Sequence, residues 1–265
     1  MRLGLIPALA LMATAVGADP IEPQALDDLP QTDVVFLGEV HDNPLHHIHQ
    51  TRATHAIAPA ALVFEMLTPE QAARIPPELP PEGELADLLD WDASGWPDFA
   101  MYYPIFAAAP GARIFGAGLP RDQARAAMTD GTAAHFPDDP ARFGLDRALD
   151  ADEQALREGL QDDAHCNALP PEMLPAMVEI QRLRDALLAE AALRAHTETG
   201  GPVVVITGTG HTRTDWGAPA ALTLASDLQT LSIGQYEGEP DSTPPNDLWL
   251  VTEPHLRTDP CAALE

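Results

Sequence analysis

The sequence predicts an α/β fold: a mostly parallel sheet flanked by helices, with a helical insertion or cap in the middle of the chain. Three observations carry this. Val34–Leu37, Ala61–Phe64, Arg113–Phe115, Val203–Ile206, Thr230–Ile233 and Leu248–Val251 are short, largely apolar and rich in β-branched residues, as buried strands are. Helical patterns at Pro44–Ile57 and Pro120–Met128 separate the early runs, each with a proline where helices tend to start. Strands alternating with helices predict parallel pairing with both faces covered. Residues 68–100 are dense in Pro, Glu and Asp and residues 137–200 read as helices with no strand, which places the insertion around these two stretches.

Taken in order, the chain begins with Arg2 and an uncharged, mostly apolar run from Leu3 to Val16, followed by small residues before Asp19. This reads as a secretion signal over residues 1–18, leaving one domain over 19–265. A run of about 14 residues is shorter than the roughly 20 a membrane-spanning helix needs. No Cys follows the apolar run, so nothing marks a lipid attachment site there. Further on, residues 68–100 are dense in Pro, Glu and Asp. Glu172–His196 sets Met173, Met177, Ile180, Leu183, Leu187 and Ala191 at helical spacing, the pattern of a core-facing stripe.

Composition narrows the function. The 265 residues carry 14 basic side chains, all Arg, against 41 acidic ones, a formal charge of −27. Nucleic acid and anionic membrane surfaces need a basic footprint, so neither is a suitable partner. Cys166 and Cys261 are the two cysteines, and in an oxidising compartment they could pair; their spacing matches no zinc ribbon or covalent haem motif. Gly208-x-Gly210 lacks the rest of a dinucleotide fingerprint, and no nucleophile elbow occurs.

The chemistry gathers where the expected strands end. The first runs into Leu37-Gly38-Glu39-Val40-His41-Asp42-Asn43, and side chains two apart on a strand share a side, so Glu39 and His41 should meet. Asn43 or Asp42 can cap a helix starting at Pro44, which carries His46, His47 and His49. Five of the chain's ten histidines fall within residues 41–55. A solvated helix accounts for some of them, but not for a carboxylate beside an imidazole at a strand end, which suits metal binding or proton transfer. The second strand ends in Glu65, the third leads to Arg121 and the fourth to His211. Ligands of open α/β sheets bind at such carboxyl ends, so these residues are expected to converge on one site.

The motif Leu37-Gly38-Glu39-Val40-His41-Asp42-Asn43-Pro44 with His46, His47 and Gln50 resembles the opening of the ChaN family, whose superfamily includes the Tiki proteases and, more distantly, the erythromycin esterases. Tyr102/Tyr103-Pro104, Gly118-Leu119-Pro120-Arg121, His165, Gln181-x-x-x-Asp185 and Gly208-x-Gly210-His211 follow in the family's order, so the resemblance runs from about residue 30 to 255. It implies haem binding in iron uptake, an iron held by a protein Tyr, and two subunits pairing around stacked haems. Tyr102 and Tyr103 are the candidate ligands, with Tyr236 an outsider; helix-edge packing on the core is the plainer reading of the first two. The chain departs from the family in lacking the lipoprotein Cys.

Two functions follow. In the first, an extracytoplasmic protein, periplasmic or otherwise secreted, holds haem through Tyr102, Tyr103, His46 or His47, with Arg121 or Arg125 on the propionates. It would exchange haem with outer-membrane or periplasmic uptake components and could act as a homodimer. In the second, Glu39, His41, Glu65 and His211 bind a divalent metal ion or act directly as acid and base in a hydrolase.

Overall fold

The computed structural model describes residues 19–263, so the expected leader over 1–18 lies outside the described residues. The first half of the chain forms β1 (Asp19–Pro20), β2 (Val34–Glu39), α1 (Pro44–Ile57), β3 (Ala61–Phe64), α2 (Pro69–Ala72), α3 (Glu82–Leu88), α4 (Trp91–Ser94), α5 (Phe99–Ala108) and β4 (Arg113–Gly116). The second half forms α6 (Arg121–Asp130), α7 (Ala151–Ala164), α8 (Leu174–Thr199), β5 (Val203–Gly208), α9 (Ala218–Ala225), β6 (Thr230–Glu237) and β7 (Leu248–Thr252).

The strands make one sheet in the order β1-β7-β6-β2-β5-β3-β4, every pair parallel. This is the α/β architecture the sequence predicts. The unforeseen member is β1, a two-residue edge strand on β7. Alternation along the central strands divides the core. Val34 and Phe36 join Val63, Val203 and Val205 under Ile180, Leu183, Ala186 and Ala191 of α8. Val35 and Leu37 join Leu62, Phe64, Val204 and Ile206 on the opposite face, under Leu85 of α3 and Tyr102, Ile105 and Phe106 of α5. The stretch 137–200 therefore supplies a layer on one face, and residues 68–100 supply short helices on the other. In the expected α8 stripe Ile180, Leu183 and Ala191 are buried, whereas Met173 at its start is exposed.

Strand order positions the site. From β2 the chain passes to β3 and β4, returns to insert β5 between β2 and β3, then crosses to β6 on the far side of β2. That reversal opens a crevice at the carboxyl ends of β2, β5 and β3. Glu39 there lies in register with Gly208, and Phe64 with Ile206, so the residues following these strands are neighbours in space. Cys166, just past α7, pairs with Cys261 in a disulfide that ties the C-terminal segment to the helical layer. Such a link narrows the unfolded ensemble most when the closed loop is long, and here the separation is 95 residues.

Candidate functional site

The path from β2 into α1 sets the first half of the site. Asn43 accepts the Leu45 N–H at 2.9 Å and Pro44 opens the helix, the capping arrangement the sequence predicts. The turn then folds Glu39 back onto His41, whose Nδ1 lies 2.7 Å from Glu39 Oε1. The Tyr102 hydroxyl of α5 donates to the same oxygen at 2.7 Å. Unusually, α1 buries polar side chains: His46, His47, Gln50 and Thr54 all face inward. They hold the turn. His46 Nδ1 accepts the Val40 N–H at 2.8 Å, His47 Nε2 donates to the His41 carbonyl at 2.8 Å, and Gln50 donates to the Leu37 carbonyl at 3.0 Å. His47 Nδ1 then faces Glu39 Oε2 at 3.5 Å, and neither atom has a hydrogen bond among the described residues.

The second half comes from β3, β5 and α8. Buried Glu65 accepts from Thr207 Oγ1 at 2.7 Å and from the Gly208 N–H at 2.9 Å, and its other oxygen lies 3.5 Å from His211 Nε2. His211 Nδ1 meets Asp185 of α8 at 2.7 Å. Two carboxylate–imidazole pairs, Glu39–His41 and Asp185–His211, thus flank Glu65. Gly208 permits this closeness: a Cβ there would sit 3.0 Å from His41 Nε2 and 3.7 Å from Glu65.

Charge follows from this geometry. Burial disfavours a charged His41, but the hydrogen bond to Glu39 and the carboxylates of Glu65, Glu39 and Asp42 outweigh it and raise the ring to about 9. Burial would raise Glu65, yet His211, His41 and the Gly208 and Thr207 donors hold it down at about 2. His211 is raised: burial opposes its charge, and Glu65 and Asp185 win. Burial pushes Asp185 up against the pull of His211. His46, fully buried without a carboxylate in contact, goes the other way, lowered by burial to about 4.

Beside Glu65 opens a cleft of about 420 Å³, lined by Trp96, Gln71, Gly118, Arg121 and Arg184 among others. Trp96 also lies against His41, ring centres 4.8 Å apart. Neither Arg121, at the first turn of α6, nor Arg184, on α8, is paired with an acid among the described residues. Nine of the thirteen described arginines do pair with one.

The expected residues therefore divide. Glu39, His41, Glu65, Arg121 and His211 come together at the strand ends, as their positions predict. His46 and His47, expected to bind a cofactor, lie inside and support the turn. Tyr102 is fully buried with its hydroxyl given to Glu39, and burial together with the Glu39 charge raises its pKa. Tyr103 donates to the Pro80 carbonyl at 3.1 Å. Tyr236 donates to Asn246 at 2.7 Å. The expected metal set does not form: among the described residues no three His, Cys, Asp or Glu side chains gather to hold an ion. Both histidines use Nδ1 on a carboxylate, His41 on Glu39 and His211 on Asp185, and Thr207 and Gly208 occupy one oxygen of Glu65, so these atoms are already engaged by neighbours.

Trp96 and Arg184 escape sequence reasoning, and Asp185 enters only as a weak motif match. The available signal was Asp185 itself, an acid among the buried positions of a helix whose other buried residues are apolar. Trp96 sits in a Pro- and Asp-rich stretch with no periodicity to mark it.

Comparison with known proteins identifies the family and the fold. The family described as haem-binding uptake, Tiki superfamily, ChaN matches residues 25–222. None of the curated proteins matches the sequence. Among solved structures, ChaN of Campylobacter jejuni, described with cofacial haem binding, superposes with a TM-score of 0.58 at 20% identity, over 84% of this chain and 87% of that one. The type III effector HopBA1 gives a TM-score of 0.44 at 12% identity, over 88% of this chain and 92% of that one. The match spans most of the described chain and includes the strand-end motifs, and the chain belongs to the ChaN family of haem-binding uptake proteins.

Proposed function

We propose that this protein binds haem outside the cytoplasm in haem and iron uptake, and that the haem rests on the cleft beside Trp96. One observation carries the proposal: in a chain of charge −27, two arginines without an acidic partner among the described residues, Arg121 and Arg184, line the same cleft as an indole. Haem offers matching chemistry. Its two propionates would suit guanidinium groups, its flat porphyrin would suit the Trp96 ring, and its iron would take a nitrogen or oxygen ligand from the chain. When bound, haem supplies the iron centre; the chain supplies the grip. His41 Nε2, on a side chain 34% exposed, has no hydrogen-bond partner among the described residues, and it would serve as ligand once iron displaces its proton, with Nδ1 still held by Glu39. Tyr102 then acts through Glu39, fixing the His41 ring rather than touching iron. The disulfide supports an oxidising compartment. No helix among the described residues is long and apolar enough to cross a membrane. A homodimer and exchange with periplasmic or outer-membrane uptake components belong to the same proposal.

The hydrolytic alternative has less support. A general base works best with a pKa near the operating pH. Glu65 at about 2 is too weak a base and His41 at about 9 is already protonated near neutrality.

A haem titration of the purified protein, followed through the Soret band, tests the proposal. It should saturate at a defined stoichiometry, His41→Ala should change the spectrum, and Tyr103→Phe should leave it unaltered. A spectrum indifferent to His41→Ala but changed by Tyr103→Phe moves the ligand to the phenol. Unsaturable binding removes the haem reading.

A further inference from the structure

A second pocket lies behind His211, on the side away from Glu65. It has a volume of about 270 Å³ and is built between α7, α8 and the segment after β5. Its walls are apolar: Leu160 and Ala164 of α7, Val178 of α8 and the indole of Trp216. The polar groups on its surface have already cancelled one another's charge. Arg157 pairs with Glu153, Arg213 with Asp215 at 2.6 Å, and His211 with Asp185 at 2.7 Å. Both guanidinium groups stack on Trp216, 4.8 Å and 3.7 Å from its ring centre.

Among the described residues two buried hydrogen-bonding atoms of this lining are left over. Arg157 is nine-tenths buried, yet its Nε–H has no acceptor among the described residues. Gln161, one helical turn further along α7, has a buried Oε1 without a donor among the described residues. Both residues line the pocket. Buried polar groups nearly always find partners, and leaving one unmet costs about 1–3 kcal/mol. The orphans are one donor and one acceptor on the same helix face, over a neutralised and partly apolar surface.

We propose that this pocket binds a small uncharged ligand bearing a carboxamide. The ligand carbonyl would accept from Arg157 Nε–H, its N–H would donate to Gln161 Oε1, and its apolar body would lie on Trp216 and Val178. The volume falls just under the range of about 300–1,000 Å³ typical of drug-sized ligands, which limits the occupant to a fragment-sized molecule. Such a ligand touches the Asp185–His211 pair from behind, and His211 contacts Glu65 in the haem cleft. This inference does not depend on the haem proposal.

Benzamide and benzoate serve as matched neutral and anionic probes, titrated against the full protein while following the Trp216 indole N–H resonance, assigned with Trp216→Phe. Benzamide should bind saturably, and benzoate at least fivefold more weakly. Gln161→Leu and Arg157→Met should each weaken benzamide about fivefold, the loss of one hydrogen bond. Ala164→Phe, at an exposed position on the pocket wall, fills the space without removing either polar group and should abolish binding. Haem titration should be unchanged in that variant. Benzoate binding as well as benzamide, absence of binding by both probes, or undiminished binding in Ala164→Phe overturns the proposal. Loss of haem binding in Ala164→Phe would also overturn it, by assigning the pocket to haem.

Discussion

Trp96 and Trp216 each sit with two arginines, and the two regions use them in opposite ways. Around Trp216, Arg157 and Arg213 are tied to Glu153 and Asp215 and lie stacked on the ring. Around Trp96, Arg121 and Arg184 line the cleft without an acidic partner among the described residues. A guanidinium already paired with a carboxylate has little left for an anionic ligand, whereas an unpaired one beside a cleft does. The same two residue types therefore build a neutral pocket in one place and an anion-seeking cleft in the other. Local pairing decides this; the net charge of the chain does not.

Asp185 joins the two regions, since it lines the second pocket and holds the histidine that faces Glu65. Removing it should have the largest effect on stability. Asp185→Leu leaves His211 buried with half its partners gone, and breaking a buried pair in this way typically costs about 3–5 kcal/mol. Urea unfolding should show a loss of this size. A loss below about 1 kcal/mol would mean that the regions are independent and that the pair does not hold them.

A smaller effect separates the neighbouring histidines. His46 is lowered from 6.5 to about 4, so between those values the unfolded chain binds the extra proton and stability falls as pH falls. The expected loss reaches about 3 kcal/mol at the acid end of the window. Glu65, lowered from 4.5 to about 2, adds a loss in the same direction below pH 4.5. His41, raised from 6.5 to about 9, acts oppositely: its contribution is complete below 6.5 and disappears as pH rises to 9. Stability of the haem-free protein should peak near pH 6.5, with His46→Gln flattening the acid limb and His41→Gln the alkaline one. An acid limb unaltered by His46→Gln would contradict the buried, neutral assignment.

The sequence made most of the scaffold legible. Buried parallel strands read as continuous apolar runs, and the ends of such runs locate the sheet edge where Glu39, Glu65 and His211 emerge. Strand alternation led to the expectation that Glu39 and His41 meet; they do, but β2 ends at Glu39 and it is the turn after it that brings His41 back. What stayed hidden depends on distant packing. His46 and His47 look like ligands in a histidine cluster, and only the approach of α1 to the 40–42 turn turns them inward. Tyr102 has the same ambiguity, resolved by α5 burying its hydroxyl against Glu39. Trp96 and Arg184 are separated by 88 positions and meet only because α8 and the 68–100 stretch approach the same strand ends. No local pattern encodes that meeting.

Whether Arg121 and Arg184 bind the propionates of haem is tested by comparing the affinities of haem and its dimethyl ester in wild type and in Arg121→Ala/Arg184→Ala. Each charge-assisted hydrogen bond is worth about 1.5–3 kcal/mol. Wild type should therefore favour haem over the uncharged ester by 100-fold or more, and the double variant should bind both with the same weak affinity. Equal affinity for haem and ester in the wild type would mean that these arginines do not hold the propionates.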